Sequence, residues 1–397
     1  MGKVYITGLG VISAIGNDVQ SCFNTLNSAK TGIGKAHFFH SKYTDSLLFG
    51  EVNLNNDQLV SLTDSSHEEG LTRTTLLAYK AFQEAIKSAD LSEEEISSFK
   101  TGFISSSTVG GMSNTDELYA DANLKGEPSE FVKSYGGGEH VLRIIKKYGI
   151  KGFTSTINTA CSSSVNAIML GARLIKSGRL DRVIVGGTDS LAKYTVNGFN
   201  SLMILSDEFC QPFDERRKGL NLGEGAGFLV LESDRVVKNT STVGEVLGYG
   251  NANDAYHPSA TSPEANGPRL AMKRALGNAH ISEKEIDYIN AHGTGTVNND
   301  ETELFAFQKT FTKIPPYNST KSYTGHTLAA SGAIESIFSL ISLNENTLFP
   351  SLNCSNPIGK NNEAPISKVI QKEMKIVMSN SFGFGGNCSS VIFKKTT

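Results

Sequence analysis

The sequence predicts an α/β fold with much of its sheet parallel. Three observations carry this. Short apolar runs of strand character alternate with longer runs of helical period. Glycine clusters follow many of the apolar runs. The chain has 397 residues, more than one compact core usually holds, so two domains or two fused halves are expected.

Strands are predicted at 3–7, 101–105, 182–185, 227–231, 286–290, 375–378 and 389–393. Between them lie predicted helices. Residues 76–86 place Leu76, Leu77, Ala81, Phe82, Ala85 and Ile86 at helical spacing. Residues 163–176 put Val165, Ile168, Met169, Ala172 and Ile175 on one face, with Gly178 as a stop. Residues 268–276 and 329–343 repeat the pattern, and 129–147 reads as helix-like. GLG at 8–10 reads as a turn after the first strand. It lacks the third glycine of a dinucleotide fingerprint, Ser13 standing there, and no G-x-x-x-x-G-K-[ST] is present, so nucleotide binding is rejected.

A weak internal echo accompanies this alternation. NTACSSSVNAIML and STKSYTGHTLAASGAI both pass from a polar loop into an apolar-faced helix, one carrying Cys161 and the other His326 near its start. Duplication and coincidence both remain open at this point. A division is expected in the polar stretch 235–242, giving halves 1–238 and 239–397.

Composition narrows the function. Hydrophobic residues make up 39% and charged residues 19%, the balance of an ordered globular chain. A net charge of −3 gives no overall basic field for nucleic acid or anionic membrane. The five cysteines, Cys22, Cys161, Cys210, Cys354 and Cys388, are odd in number and scattered, without C-x-x-C spacing. That argues against a disulfide framework or zinc site and for a reducing compartment. No apolar run approaches the ~18 residues of a membrane span. The first residues suit a strand better than a signal peptide, and Ile6 breaks the myristoylation pattern. A cytoplasmic location is expected.

Three segments offer reactive side chains. Cys161, among Thr159, Ser162, Ser163 and Ser164, sits at a predicted helix start. There the helix dipole is expected to lower its pKa from about 8.5, and a free N–H could hold an oxyanion. AHGTGT at 291–296 puts His292 where a strand ends, with Thr294 and Thr296 beside it. KSYTGHTLAASGAIES at 321–336 brings Lys321 and His326 into one turn, with Glu335 on the following helix. Taken singly, these also suit a buried structural cysteine, a tight surface turn and a capped helix. A fourth segment, NSFGFGGN at 380–387, reads either as a packed hairpin tip or as an apolar gate built on Phe382 and Phe384.

In this order, TACSSS, HGTGT, K-S-Y-T-G-H and NSFGFGG resemble the elongating β-ketoacyl-(acyl carrier protein) synthases of the thiolase superfamily. VIVGGTDS and PFDERRKGLNLGEGAGFLVLE add to the likeness, which runs from GLGVISAIG to VIFKK. The resemblance implies a thiolase-type fold: two duplicated βαβαβαββ halves in a five-layered αβαβα arrangement. It implies decarboxylative condensation of an acyl-enzyme thioester with malonyl-acyl carrier protein. Cys161 would be the nucleophile, and His292 and His326 would promote decarboxylation. Lys321 and Glu335 would support them, and the N–H groups of Cys161 and Phe384 would form the oxyanion hole. Thr294 and Thr296 match pantetheine-binding positions. Val109 and Phe384 match gating positions, with Phe382 beside them as a further substrate contact. The family's phosphopantetheine travels on the carrier protein, so no cofactor or metal is expected on this chain. The expected assembly is a homodimer, or a heterodimer with a homologous subunit. Fatty-acid, polyene and aryl-polyene, and polyketide pathways all stay open.

The chain departs from the family in four places. The turn usually continues Gly-Gly-[Thr/His]-Asn, but here it reads Gly385-Gly386-Asn387-Cys388. Loop 253–267 looks long, and the segment after Ile204 looks short. HEEGLTR places acids where basic residues often meet carrier protein, although Arg73 remains. Four other readings compete: a non-condensing partner subunit, a thiolase, an initiating synthase and a non-catalytic binding protein. Cys161 together with His292 and His326 disfavours each.

Overall fold

The glycines of GLG lie inside a strand, not after one. In the computed structural model, which describes residues 2–238, 242–359 and 363–396, β1 runs from Val4 to Ser13. A Cβ on Gly8 would lie 2.3 Å from the carbonyl of Ala85, and one on Gly10 would lie 2.0 Å from that of Ala81. Helix Arg73–Ser88 therefore rests directly on the strand, and only glycine permits that approach. This corrects the turn expected at 8–10.

The first half continues with β2 (Thr101–Ser106), β3 (Thr154–Ile157), β4 (Arg182–Asp189) and β5 (Gly225–Ser233). The second half holds β6 (Gly244–Asn253), β7 (Tyr288–Asn290), β8 (Tyr317–Asn318), the small pair β9 (Thr347–Leu348) and β10 (Ile370–Gln371), then β11 (Ile376–Phe382) and β12 (Asn387–Lys394). Ten of these form one sheet in the order β3-β2-β4-β5-β1-β6-β12-β11-β7-β8. Read outward from its centre, each side repeats the same connectivity, which establishes the duplication. Among the described residues, the strands of the two halves pair through Tyr5 with Glu245 and Ile6 with Gly244.

Parallel pairing is confined to the two ends, β3-β2-β4 and β11-β7-β8. The middle is antiparallel, so the sheet is mixed rather than largely parallel. The hairpin β11–β12 is one cause, because a connection of a few glycine-rich residues can only return antiparallel.

Period-two alternation assigns the faces. Val183, Val185, Leu229 and Leu231 turn toward a central helical layer, while Ile184, Phe228 and Val230 turn outward. Val377, Val391 and Phe393 face the same centre, and Met378 and Ile392 face out. The central layer is helices Ser163–Lys176 and Ser331–Glu345, packed on each other. Helix Ser331–Glu345 is buried on every side from Ser331 to Leu343, as a position between the two five-stranded halves of the sheet requires. Helices Arg73–Ser88 and Glu139–Tyr148 cover one outer face, and Asn266–Ala279 and Val297–Thr310 cover the other. This is the expected five-layered arrangement.

Residues 129–147 are not one helix. Three successive glycines, Gly136 to Gly138, separate a short 3₁₀ turn at Glu130–Val132 from helix Glu139–Tyr148. The division expected between 238 and 239 falls at residues 239–241, outside the described residues. Among the described residues, no helix is long and apolar enough to cross a membrane.

Candidate active site

The two central helices begin side by side, and that brings Cys161 to His326. After β3 the backbone turns sharply through Ala160, whose φ of +53° lies in the left-handed region. For a residue with a Cβ this costs roughly 1 kcal/mol, and the turn presents Cys161 just ahead of the helix. On the other side Gly325 (φ +69°) closes the short helix Lys321–Thr324. His326 then directs Nε2 to Cys161 Sγ at 3.0 Å. Its Nδ1 accepts the N–H of Leu328 at 3.1 Å, so the proton of a neutral ring sits on Nε2.

His292 follows β7 and resolves to the same tautomer by a different contact. Lys321 Nζ lies 3.2 Å from His292 Nδ1. An ammonium only donates, so Nδ1 accepts and Nε2 carries the proton. Lys321 is itself buried and paired with the Glu335 carboxylate, which also accepts the Ser331 hydroxyl at 3.0 Å. The two imidazoles cross nearly at right angles with centroids 5.5 Å apart. The sulfur and one ring nitrogen from each histidine lie within 4.8 Å of one another.

Burial sets the protonation states. It holds His292 well below the usual histidine range, and Lys321 and then His326 add to the effect. Burial and then Lys321 do the same to His326. Both rings are thus neutral at pH 7. Burial also pushes the Cys161 thiol up to about 11, against the opposing pull of Lys321 and the N–H groups of Phe384 and Cys161. The lowered thiol pKa expected from the helix start is overturned: desolvation of the anion outweighs the dipole.

A cavity of about 260 Å³ opens onto this cluster, and Cys161, His292 and His326 all line it. Thr294 and Thr296 are on its wall, their hydroxyls 2.8 Å apart. Phe382 packs against His292 at 5.9 Å between centroids, and Phe384 stacks on Phe199 at 5.6 Å and 21°. Val109 stands apart from these residues. It is buried in an apolar cluster with Leu191, Val196 and Leu328 and is not on the cavity wall. Its N–H is held at 2.9 Å by the buried Asp189 carboxylate, and Phe199 stands on the wall from the same cluster.

Arg73 is not a free surface cation either. Its guanidinium bonds both oxygens of the buried Glu224 and the carbonyls of Val52 and Leu54. Of the acids in HEEGLTR, Glu68 pairs with Arg143 and Lys147.

Three residues of the site's surroundings escaped the sequence reading. Phe199 was one. Glu303 was another: its two oxygens accept the N–H groups of His292 at 2.8 Å and Gly293 at 2.7 Å, fixing the HGTGT turn. Its signal was an acid about two helical turns into the element after HGTGT. Asn387, noticed only as a departure, was the third.

Comparison with known proteins agrees with this geometry. Residues 1–236 match the family model "Beta-ketoacyl synthase, N-terminal domain", and residues 243–355 match "Beta-ketoacyl synthase, C-terminal domain". The chain is 32% identical over 408 residues to 3-oxoacyl-[acyl-carrier-protein] synthase 2 of Staphylococcus aureus (strain COL), covering 99% of this chain and 98% of that protein. Among solved structures it is similar to the ishigamide ketosynthase/chain length factor, with 26% identity, TM-score 0.91 and all of both chains covered. It is also similar to a ketosynthase in complex with its chain length factor from Xenorhabdus doucetiae, with 30% identity, TM-score 0.87, and 100% and 98% of the two chains covered. With both halves matched by family models and a curated relative aligned along nearly its whole length, this chain belongs to the β-ketoacyl synthase family.

Proposed function

We propose that this protein is an elongating β-ketoacyl-(acyl carrier protein) synthase that lengthens an acyl chain by two carbons. The observation that carries the reading is the pair of neutral histidines. Each holds its proton on Nε2, and both border one cavity with a cysteine.

In the first step Cys161 Sγ attacks an acyl thioester delivered on carrier protein. The thiol proton passes to the departing phosphopantetheine sulfur, and the acyl group remains on Cys161. The N–H groups of Cys161 and Phe384 face the sulfur and donate to the carbonyl oxygen as it becomes negative. A malonyl thioester then enters, with Thr294 and Thr296 offering hydroxyls to the pantetheine arm. Its carbon–carboxylate bond breaks and CO₂ leaves. The electron pair passes into an enolate whose oxygen takes Nε2–H bonds from His292 and His326. The enolate carbon attacks the acyl carbonyl, the bond to Sγ breaks, and the thiolate recovers a proton from water. Lys321 keeps the local potential positive, and Glu335 holds Lys321 in place.

The same cluster has metal-ligand spacing. We read it as a proton-donor site because Nδ1 of each histidine is already an acceptor and the Lys321 charge beside His292 opposes a divalent cation. The phosphopantetheine is assigned to the carrier protein.

For the assembly we propose a pair, with a second copy or with a homologous subunit. The second form is supported by the X. doucetiae ketosynthase, which was solved with a chain length factor. Cys161 assigns this chain the condensing role in either. Saturated fatty acid is the plainest substrate; a polyene or polyketide chain is the alternative.

Intact-mass spectrometry after incubation with acyl-carrier proteins tests the reading. A mass gain lost in Cys161→Ala, and discharged as a β-ketoacyl product by malonyl-carrier protein, is expected. A folded protein that takes no acyl group from any donor, alone or with a co-expressed homologue, would overturn it.

A further inference from the structure

Where the family's turn usually carries Thr or His, this chain carries Asn387, and the side chain has become a hub. Its Oδ1 accepts from Asn166 Nδ2 at 2.9 Å and Asn251 Nδ2 at 2.8 Å, and the Ser162 hydroxyl lies 2.7 Å away. Ser162 has one proton and is as close to the carbonyl of Thr159, at 2.8 Å, so the two amides are the firmer partners. Asn166 in turn bonds Thr159 Oγ1 at 2.7 Å and accepts from Asn251 at 3.1 Å. These groups come from both halves of the fold. Thr159, Ser162 and Asn166 flank Cys161 and open its helix. Asn251 is on β6, and Asn387 begins β12.

The main chain of Asn387 completes the connection. Its carbonyl accepts the N–H of Gly383 at 2.8 Å, and the Gly383 carbonyl accepts the N–H of Gly386 at 3.1 Å. These two bonds close the turn that carries Phe384. One residue thus touches the nucleophile's helix through its side chain and the Phe384 turn through its backbone. A carbonyl oxygen has two lone pairs, so two amide donors saturate it and fix its direction.

We propose that Asn387 is a positioning residue of the acyl-transfer step: its side-chain oxygen locks the Phe384 turn to the start of the Cys161 helix, so that both backbone N–H groups converge on one oxyanion. The inference rests on the proposed reading of Cys161 as acyl acceptor. It separates the two half-reactions, because decarboxylation draws its hydrogen bonds from His292 and His326, whose rings are held by Lys321 and by the N–H of Leu328 and not by this hub.

The test uses the full-length protein. Asn387→Leu removes the acceptor at similar size. Asn387→Thr keeps an acceptor oxygen and restores a residue usual in the family. Acylation of Cys161 is followed by intact mass at varied acyl-carrier concentration. Malonyl-carrier decarboxylation is followed as CO₂ release in a Cys161→Ala background, with and without Asn387→Leu. Asn387→Leu is expected to lower the maximal acylation rate about 10- to 100-fold with little change in half-saturation, a fraction of what losing an oxyanion donor outright costs. Decarboxylation should stay within about twofold, and Asn387→Thr should retain most of the acylation rate. Equal losses in both half-reactions would reduce Asn387 to a structural residue and overturn the proposal, as would unchanged acylation in Asn387→Leu. A wild-type protein that accepts no acyl group would instead remove the reading beneath it.

Discussion

Lys321 Nζ lies 3.2 Å from His292 Nδ1, and this contact decides which nitrogen of His292 holds the proton. Without it, a buried neutral imidazole could place its proton on either nitrogen, and only one tautomer presents Nε2–H to the cavity. Lys321→Met should therefore lower malonyl decarboxylation by roughly 100-fold, the scale of a misplaced proton donor. Release of CO₂ from malonyl-carrier protein measures this, and an unchanged rate would remove the tautomer assignment.

The pH dependence follows from burial. The Cys161 thiol is pushed up to about 11, so the thiolate fraction rises about tenfold per pH unit between pH 6 and 10. Acylation should climb through that window without a plateau near 7. Both histidines are held below their usual range and stay neutral across it. Decarboxylation by Cys161→Ala should accordingly be flat from pH 6 to 9. A step near pH 6.5 in stopped-flow CO₂ release would show that a histidine titrates there after all.

Phe199 supports Phe384 by stacking, and the Phe384 N–H is the proposed oxyanion donor. Such a pair contributes about 0.5–1.5 kcal/mol. Phe199→Ala should slow acylation by roughly two- to tenfold on that scale and admit bulkier acyl groups to the enlarged cavity. Rates for a series of acyl-carrier donors test both effects.

Arg73 and Glu224 form an ion pair in which the carboxylate is wholly buried. Removing the guanidinium strands that charge against the N–H groups of Val52 and Leu191. Arg73→Ala should cost about 3–5 kcal/mol in urea unfolding. Carrier-protein affinity should hold where the variant remains folded, since Arg73 faces inward.

Much of the site was legible because its chemistry is local. Cys161 among small polar residues at a helix start, and His292 after an apolar strand, carry their signals within a few residues. The same holds for Lys321 and His326 in one turn. Contacts between distant segments were not legible in that way. Phe199 meets Phe384, and Asn387 meets Asn166 and Asn251, across sequence separations that periodicity does not span. Val109 lies off this cavity's wall for a related reason: a motif position names a neighbourhood, while packing decides which side chains face a given cavity. The parallel sheet was over-read because alternation reports element type, and pairing direction depends on partners far along the chain.

Residue order determined the alternation of strands and helices and the candidates for reactive side chains, since these follow from spacing and side-chain chemistry; the duplication was decided by the strand order of the sheet. Tertiary structure decided their electrical state. The helix dipole at Cys161 is a local property, and by itself it favours a thiolate. Burial between the two halves of the sheet is a property of the whole fold, and desolvating a charge outweighs a dipole of about half a unit. That is why the thiol rests protonated and why both histidines rest neutral.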